Sequence, residues 1–233
     1  MDLDFTTAGI ELGNLRNKLE HSLHNKSSYG LYFKILDENI SSESYLAVVE
    51  YSHKWNPGSQ FELQVSYREK PALPLIKLPL CNELYFKFCE FKIFSVSCMS
   101  REELLAEKIR AAFQRIRSRD LYDLYLFTKR HYNRNIVKKL VAIKCWNVRE
   151  TFDPKALLEK VADGNYDWDD LQRLVRKGSL PAPENVIQAV LKEYSYLKNL
   201  DKQLLKIMKD SKAHKEEKLT LQVLSKITDQ LKV

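Results

Sequence analysis

No stretch of this sequence stays apolar over the roughly 18 to 20 residues that a membrane-crossing helix needs, so no membrane partner is expected. The first residues, MDLDFTTAGIEL, lack the basic and apolar segments of an export signal, which makes the cytoplasm the expected compartment. Cys81, Cys89, Cys98 and Cys145 form no C-x-x-C and have no neighbouring histidines. That spacing excludes a zinc knuckle and a disulfide framework, and leaves reduced, mostly buried thiols as the expectation. The five histidines are equally dispersed. His21 and His24 stand three apart on an expected helix, but two ligands without a third do not make a metal site. No internal repeat is present.

What is there is an ordinary globular composition of 44% hydrophobic and 30% charged residues in a chain of 233. That length suits one large domain or two small ones, and two are expected. Charge is unevenly placed. Residues 1–97 carry 10 Lys and Arg against 12 Asp and Glu, net −2, whereas residues 98–233 carry 28 against 19, net +9. A basic second part either meets a polyanion, nucleic acid being the commonest, or is a set of lysine-rich solvated helices.

Hydrophobic periodicity divides the chain in the same place. From residue 10 to about 25, Ile10, Leu12, Leu15, Leu19 and Leu23 recur at largely helical spacing after a short first strand that contains DLDF. YGLYFKILDE, YLAVVEYS and QFELQVSYRE then read as three consecutive strands, and FKIFSVS as another ending near Ser97. From there the period changes to 3.6. SREELLAEKIRAAFQRIRS opens on Ser100 with Glu103 three residues later, a capping box, and turns Leu104, Leu105, Ile109, Ala112, Phe113 and Ile116 inward. Ser118 is the expected cap of the next helix, and further helices follow through NIVKKLVAIKCW, PKALLEKVA, WDDLQRLVRK and ENVIQAVLKEYSYLKNL. The tail from about Lys202 forms one or two helices, split near Lys212 to His214. The expected fold class is therefore α+β, a mixed sheet over residues 1–97 followed by a helical bundle over residues 98–233.

Three groups of residues can carry chemistry. Asp2 and Asp4 alternate along a strand, leave one face together, and can hold a hard cation through oxygen, while Leu3 and Phe5 enter the other face. Taken alone they are equally a pair of exposed terminal acids. Glu62 on the third predicted strand, with Gln64 and Ser66 on its face, can complete an acidic triad or be a solvated strand position. Around the junction of the first two bundle helices stand Lys108, Arg115, Arg119, Asp120 and Asp123. They either form a working basic and acidic cluster or an ion-pair network of small energetic weight.

DLDF, the strand ending in YRE, and above all EELLAEKIRAAFQRIRSRDLYDLY resemble the AbiEii/AbiGii toxin family of nucleotidyltransferases, of type IV toxin-antitoxin and abortive-infection systems. The family's helical signature, E-x-L-x-x-K-x-x-A, then an arginine and R-D-x-x-D, is met at Glu103, Leu105, Lys108, Ala111, Arg115, Arg119, Asp120 and Asp123. The resemblance implies a polymerase-β-like catalytic core fused to a bundle. It implies Asp2 and Asp4 as catalytic metal ligands with Glu62 beside them, Mg²⁺ or Mn²⁺ as the ion, and Lys108 and Asp120 as catalytic residues. Arg68, Arg115, Arg119 and Asp123 would contact nucleotide or substrate. The reaction implied is transfer of a nucleoside monophosphate from an NTP to an acceptor such as tRNA, with a cognate antitoxin as a further partner. A fold of this kind without catalysis would act instead as a nucleic-acid or antitoxin-binding module. Relatives carry a Gly-Gly or Gly-Ser phosphate turn ahead of the D-L-D-F strand, which these residues lack; an upstream in-frame extension would supply it. Relatives also tend to place an acid where Gln64 stands, so Glu62 is the expected substitute.

Overall fold

The computed structural model describes residues 2–7, 9–80, 92–176, 178–209 and 217–230. The chain divides into two compact units, one of residues 1–71 with 77–98 and the other of residues 72–76 with 99–233.

The first unit contains β1 (Asp2–Thr6), α1 (Leu12–Leu23), β2 (Lys26–Ser28), β3 (Leu31–Ile40), β4 (Ser44–His53) and β5 (Asn56–Ser66). These strands make one sheet in the order β1-β5-β4-β3-β2. β1 runs parallel to β5 and every other pairing is antiparallel, so the sheet is mixed. β3 and β4 are joined by a serine turn in which Ser41 Oγ accepts hydrogen bonds from the backbone N–H groups of Glu43 and Ser44. Gly58 has φ +150°, a backbone conformation that side chains rarely adopt, so glycine is favoured at that place in β5. Alternation along β4 and β5 sends Tyr45, Ala47, Val49, Leu63 and Val65 into a core with Ile35. The leucines of α1, Leu12, Leu15, Leu19 and Leu23, pack against it, as their spacing predicts.

Leu3 and Phe5 take the face of Leu63 and Val65, as expected, but neither is covered: Phe5 is 55% exposed, and both stay in contact with solvent. They sit on an edge strand, and an edge strand has a neighbour on one side only. Two short strands carry too little pattern to be read from sequence, β2 and β6 (Ile76–Pro79). β6 pairs with β7 (Ser95–Cys98) in a separate two-stranded sheet. β7 is shorter than FKIFSVS suggested; Lys92 to Phe94 precede it without strand structure, and Phe91 lies outside the described residues.

In the second unit the described residues form α2 (Arg101–Gln114), α3 (Ser118–Phe127), α4 (Arg134–Asn147), α5 (Pro154–Asp163), α6 (Trp168–Leu174), α7 (Pro183–Tyr194), a 3-10 turn (Ser195–Lys198), α8 (Lys202–Lys209) and α9 (Glu217–Gln230). Short polar residues start many of them: Asn133 caps α4, Asp153 caps α5 with Pro154 at its first position, and Asp167 caps α6. Gly164, at φ 66°, ends α5 in the left-handed region. α4 is the centre. Val137, Leu140, Val141, Ala142, Ile143 and Cys145 are buried on it, and α2, α8 and α9 pack around. Leu105, Ile109 and Ala112 face this core from α2, but Leu104 is exposed, and Ile116 is 52% exposed. The helix stops at Gln114, and Arg115 and Arg117 take extended conformations, which places Ile116 in a linker rather than on an inward face. Ser118 is likewise inside α3 and buried; Arg117 holds the cap position without a side-chain bond. In the tail, Leu204, Ile207, Met208, Val223 and Ile227 are buried, and Leu205 and Leu221 are exposed. The split expected near Lys212 to His214 falls outside the described residues.

Among the described residues no helix is long and apolar enough to cross a membrane. Of the cysteines described, Cys145 is buried and Cys98 partly exposed, both as free thiols.

One ion pair ties α1 to the sheet. Arg16 donates to Glu38 from Nε and Nη2, the latter at 2.8 Å, and Tyr45 donates its hydroxyl to the same carboxylate at 2.6 Å. The Arg16 bond is the main cause holding the Glu38 carboxyl below its ordinary value of 4.5. A lowered carboxyl pKa stabilises the fold above the ordinary value and loses that contribution as pH falls through the lowered one. Glu38→Gln is therefore expected to lessen the stability lost as pH falls below the ordinary carboxyl range, read in urea titrations at several pH values. In the bundle, Ile109→Ala should lower unfolding free energy by about 2–5 kcal/mol, whereas Ile116→Ala should change it by less than about 0.5 kcal/mol.

Candidate active site

On the sheet, the parallel register sets Asp2 opposite Glu62 and Asp4 opposite Gln64. Residues directly opposite in a ladder share a face, so Asp4 stands on the face that carries Glu62 and Gln64, opposite to the one where Leu63 and Val65 enter the core. Asp4, Glu62 and Gln64 are all exposed; the side chain of Asp2 lies outside the described set. The far end of β1 is anchored. Thr6 Oγ1 donates to the Glu69 carbonyl at 3.2 Å, and Thr7 N–H to the Ser66 carbonyl at 3.0 Å. Arg68 falls just beyond β5, exposed, its own N–H bonded to Ser66 Oγ. Among the described residues no three His, Cys, Asp or Glu side chains stand close enough to hold a metal ion. The donors this face does offer, carboxylate and amide oxygens open to water, suit a hard cation that keeps waters and phosphate oxygens in its shell.

In the bundle, the helix junction is built on two charge pairs. Arg115 grips Asp120 through Nε at 2.6 Å and Nη2 at 2.9 Å, with Asp120 only 2% exposed. The pairing is local: Arg115 ends α2, and Asp120 lies in the first turn of α3, where a carboxylate also favours the helix dipole. Lys108 Nζ meets Asp123 Oδ2 at 2.6 Å across α2 and α3, both half-buried. Arg119 is exposed and has no partner among the described residues. Tyr166 is pushed up to about 12, first by burial and then by the charges of Asp120 and Asp163. The junction thus holds two Lys/Arg–Asp pairs and presents a further arginine to solvent.

A third cluster escaped the sequence reading. Lys144 is 1% exposed and bonds Glu103 Oε1 at 2.9 Å and Glu107 Oε1 at 2.7 Å. Glu103, fully buried, also accepts the N–H groups of Ala72 at 2.6 Å and Leu73 at 3.0 Å. Only half of the expected capping box exists: Ser100 Oγ accepts the Glu103 N–H at 3.2 Å, while the Glu103 carboxylate turns inward. The available signal was the lysine inside VAIKCW, since lysine is almost never buried without a partner.

A family model described as "Nucleotidyl transferase AbiEii toxin, Type IV TA system" matches residues 1–220. The chain belongs to the AbiEii family. The resemblance read from the D-L-D-F strand and the helical signature is thereby established at the level of the family. The fold is that of a solved nucleotidyltransferase toxin, MenT4 of Mycobacterium tuberculosis, at a TM-score of 0.77 and 19% identity, over 97% of this chain and 77% of that one. None of the curated proteins matches the sequence.

In this AbiEii chain the signature glutamate is a structural anchor, which mutation can test. Glu103→Ala should cost about 3–5 kcal/mol, because it removes one of two acidic partners from a buried ammonium and leaves two backbone N–H groups without acceptors. Chemical denaturation measures it, and an unchanged midpoint would contradict the role.

Proposed function

We propose that this AbiEii-family chain is an active nucleotidyltransferase that moves a nucleoside monophosphate from an NTP onto a hydroxyl of an RNA acceptor such as tRNA, in the cytoplasm and under control of a cognate antitoxin. The observation that supports it most is the parallel β1–β5 register, with Asp2 opposite Glu62 and Asp4 opposite Gln64 in a mixed sheet of a nucleotidyltransferase toxin family.

In this reading Asp2, Asp4 and Glu62 would hold Mg²⁺ or Mn²⁺. When bound, the cation neutralises charge on the phosphate oxygens. Asp4 offers a carboxylate to the proton leaving the attacking hydroxyl. The hydroxyl oxygen forms a bond to the α-phosphorus, the bond to the β-phosphate oxygen breaks, and pyrophosphate leaves. Lys108 supplies positive charge to the triphosphate by exchanging its contact with Asp123, and Arg119 and Arg68 add theirs. Asp120 acts through Arg115, whose guanidinium it fixes with two bonds.

With α-labelled NTP, Mg²⁺ and total tRNA, wild-type protein should transfer label. Asp4→Ala and Lys108→Ala should each transfer at least about 100-fold less, as losses of charge stabilisation at a reacting phosphate do. Equal transfer by both variants would sink the assignment. Absence of any transfer by folded wild type would favour a binding module, the reading that the neutral Gln64 opposite Asp4 best suits.

A further inference from the structure

A cleft of about 440 Å³ opens where α3 ends, the turn leads into α4, and α7 passes alongside; Lys129, Arg130, His131, Tyr132, Arg134 and Glu193 line it. Among the described residues its one lining acid is already committed. Glu193 accepts two bonds from Arg134 Nη2, at 2.9 and 3.0 Å, and the Tyr132 hydroxyl at 2.6 Å. Arg134 also lies 5.2 Å from the Tyr196 ring centre, so this pair is fixed in place and electrically closed.

The remaining cations are not closed. The Arg130 side chain has no partner among the described residues and is exposed. Lys129 Nζ lies 4.4 Å over the Tyr125 ring, a contact that holds the ammonium without neutralising it. Two hydrogen bonds brace the turn that carries them: Arg101 Nη1 donates to the His131 carbonyl at 2.8 Å, and Asn133 N–H to Glu102 Oε1 at 3.1 Å. Counting the cleft and its braces, Arg101, Lys129, Arg130 and Arg134 face Glu102 and Glu193, four charges against two, net +2. A second basic cleft is lined by Lys155, Lys198 and Lys209 with the apolar Phe152, Leu200 and Met208, and its acid Asp153 accepts the Lys155 N–H as the cap of α5.

We propose that the α3–α4 cleft binds backbone phosphates of RNA, with Arg130 and Lys129 as the contacting cations and Arg134, Glu193 and Tyr132 as the fixed wall. The choice of RNA rests on the acceptor reading above. The cleft's chemistry favours a strand over a small free anion, because its donors are exposed: a lone phosphate would need enclosing donors, whereas a strand brings repeated charges to several open ones and releases counterions.

The test is fluorescence anisotropy of labelled tRNA with the full chain across a salt series, without NTP. Arg130→Glu combined with Lys129→Ala should weaken binding about 10-fold or more and make the salt dependence shallower by about two phosphate equivalents. Lys155→Ala with Lys209→Ala, at the second cleft, should leave affinity and slope unchanged. Unchanged binding by the first variant, equal losses in both, or no RNA binding by wild type would overturn the proposal. Both altered sites are exposed, and a circular dichroism melt confirms folding of each variant. Binding read without NTP keeps the two claims apart. Tight, variant-sensitive binding with no label transfer would leave this site standing and remove the transferase reading, while transfer with variant-insensitive binding would do the reverse.

Discussion

The bundle is organised around one buried charge. Lys144 has almost no access to water, and a charge in that position is stable only if acids come to it. Glu103 and Glu107, one turn apart on α2, both do, which fixes the rotation and depth of α2 against α4. Glu103 uses its remaining capacity on the N–H groups of Ala72 and Leu73, so residues 72–73 are tied to the bundle by the same carboxylate. Lys108 follows Glu107 directly. Its direction toward Asp123 is therefore set by a cluster that itself touches no substrate in the proposed reaction.

The sheet unit shows the complementary arrangement, an apolar face closed by α1 and a polar face left open. Buried Leu63 and Val65 alternate with exposed Glu62 and Gln64, and Asp4 stands opposite Gln64 on a strand that joins the sheet by parallel pairing. Parallel neighbours cannot be joined by a tight turn, so β1 reaches β5 only after α1 and the β2–β4 meander have been laid down. That topology is what brings residues some 60 positions apart in sequence to one face.

Much of this was legible in the chain. The change from alternation to a 3.6 period near residue 98, the leucine stripe of α1 and the signature from Glu103 to Asp123 all survive in the structure, because each rests on several residues that agree. The failures are equally physical. β2 and β6 are three and four residues long, too short for a pattern to accumulate. Alternation put Phe5 on the core face, but it says which face a residue takes and not whether anything covers that face. Ser118 had the right chemistry for a cap, yet α3 starts at Ser118 itself, with Arg117 in the cap position. Glu103 fitted a capping box by spacing alone, and the buried Lys144, forty-one residues away in sequence, outcompeted the local bond. Tertiary charge pairing of that kind leaves only a lysine in an apolar run as its trace.

The central claim is that nucleotide transfer takes place on this chain, and the released product tests it most directly. Coupled detection of pyrophosphate during incubation with NTP, Mg²⁺ and tRNA should show release that depends on all three and equals the nucleotide incorporated. Release of inorganic phosphate instead, or no pyrophosphate from a protein shown to be folded, would contradict it.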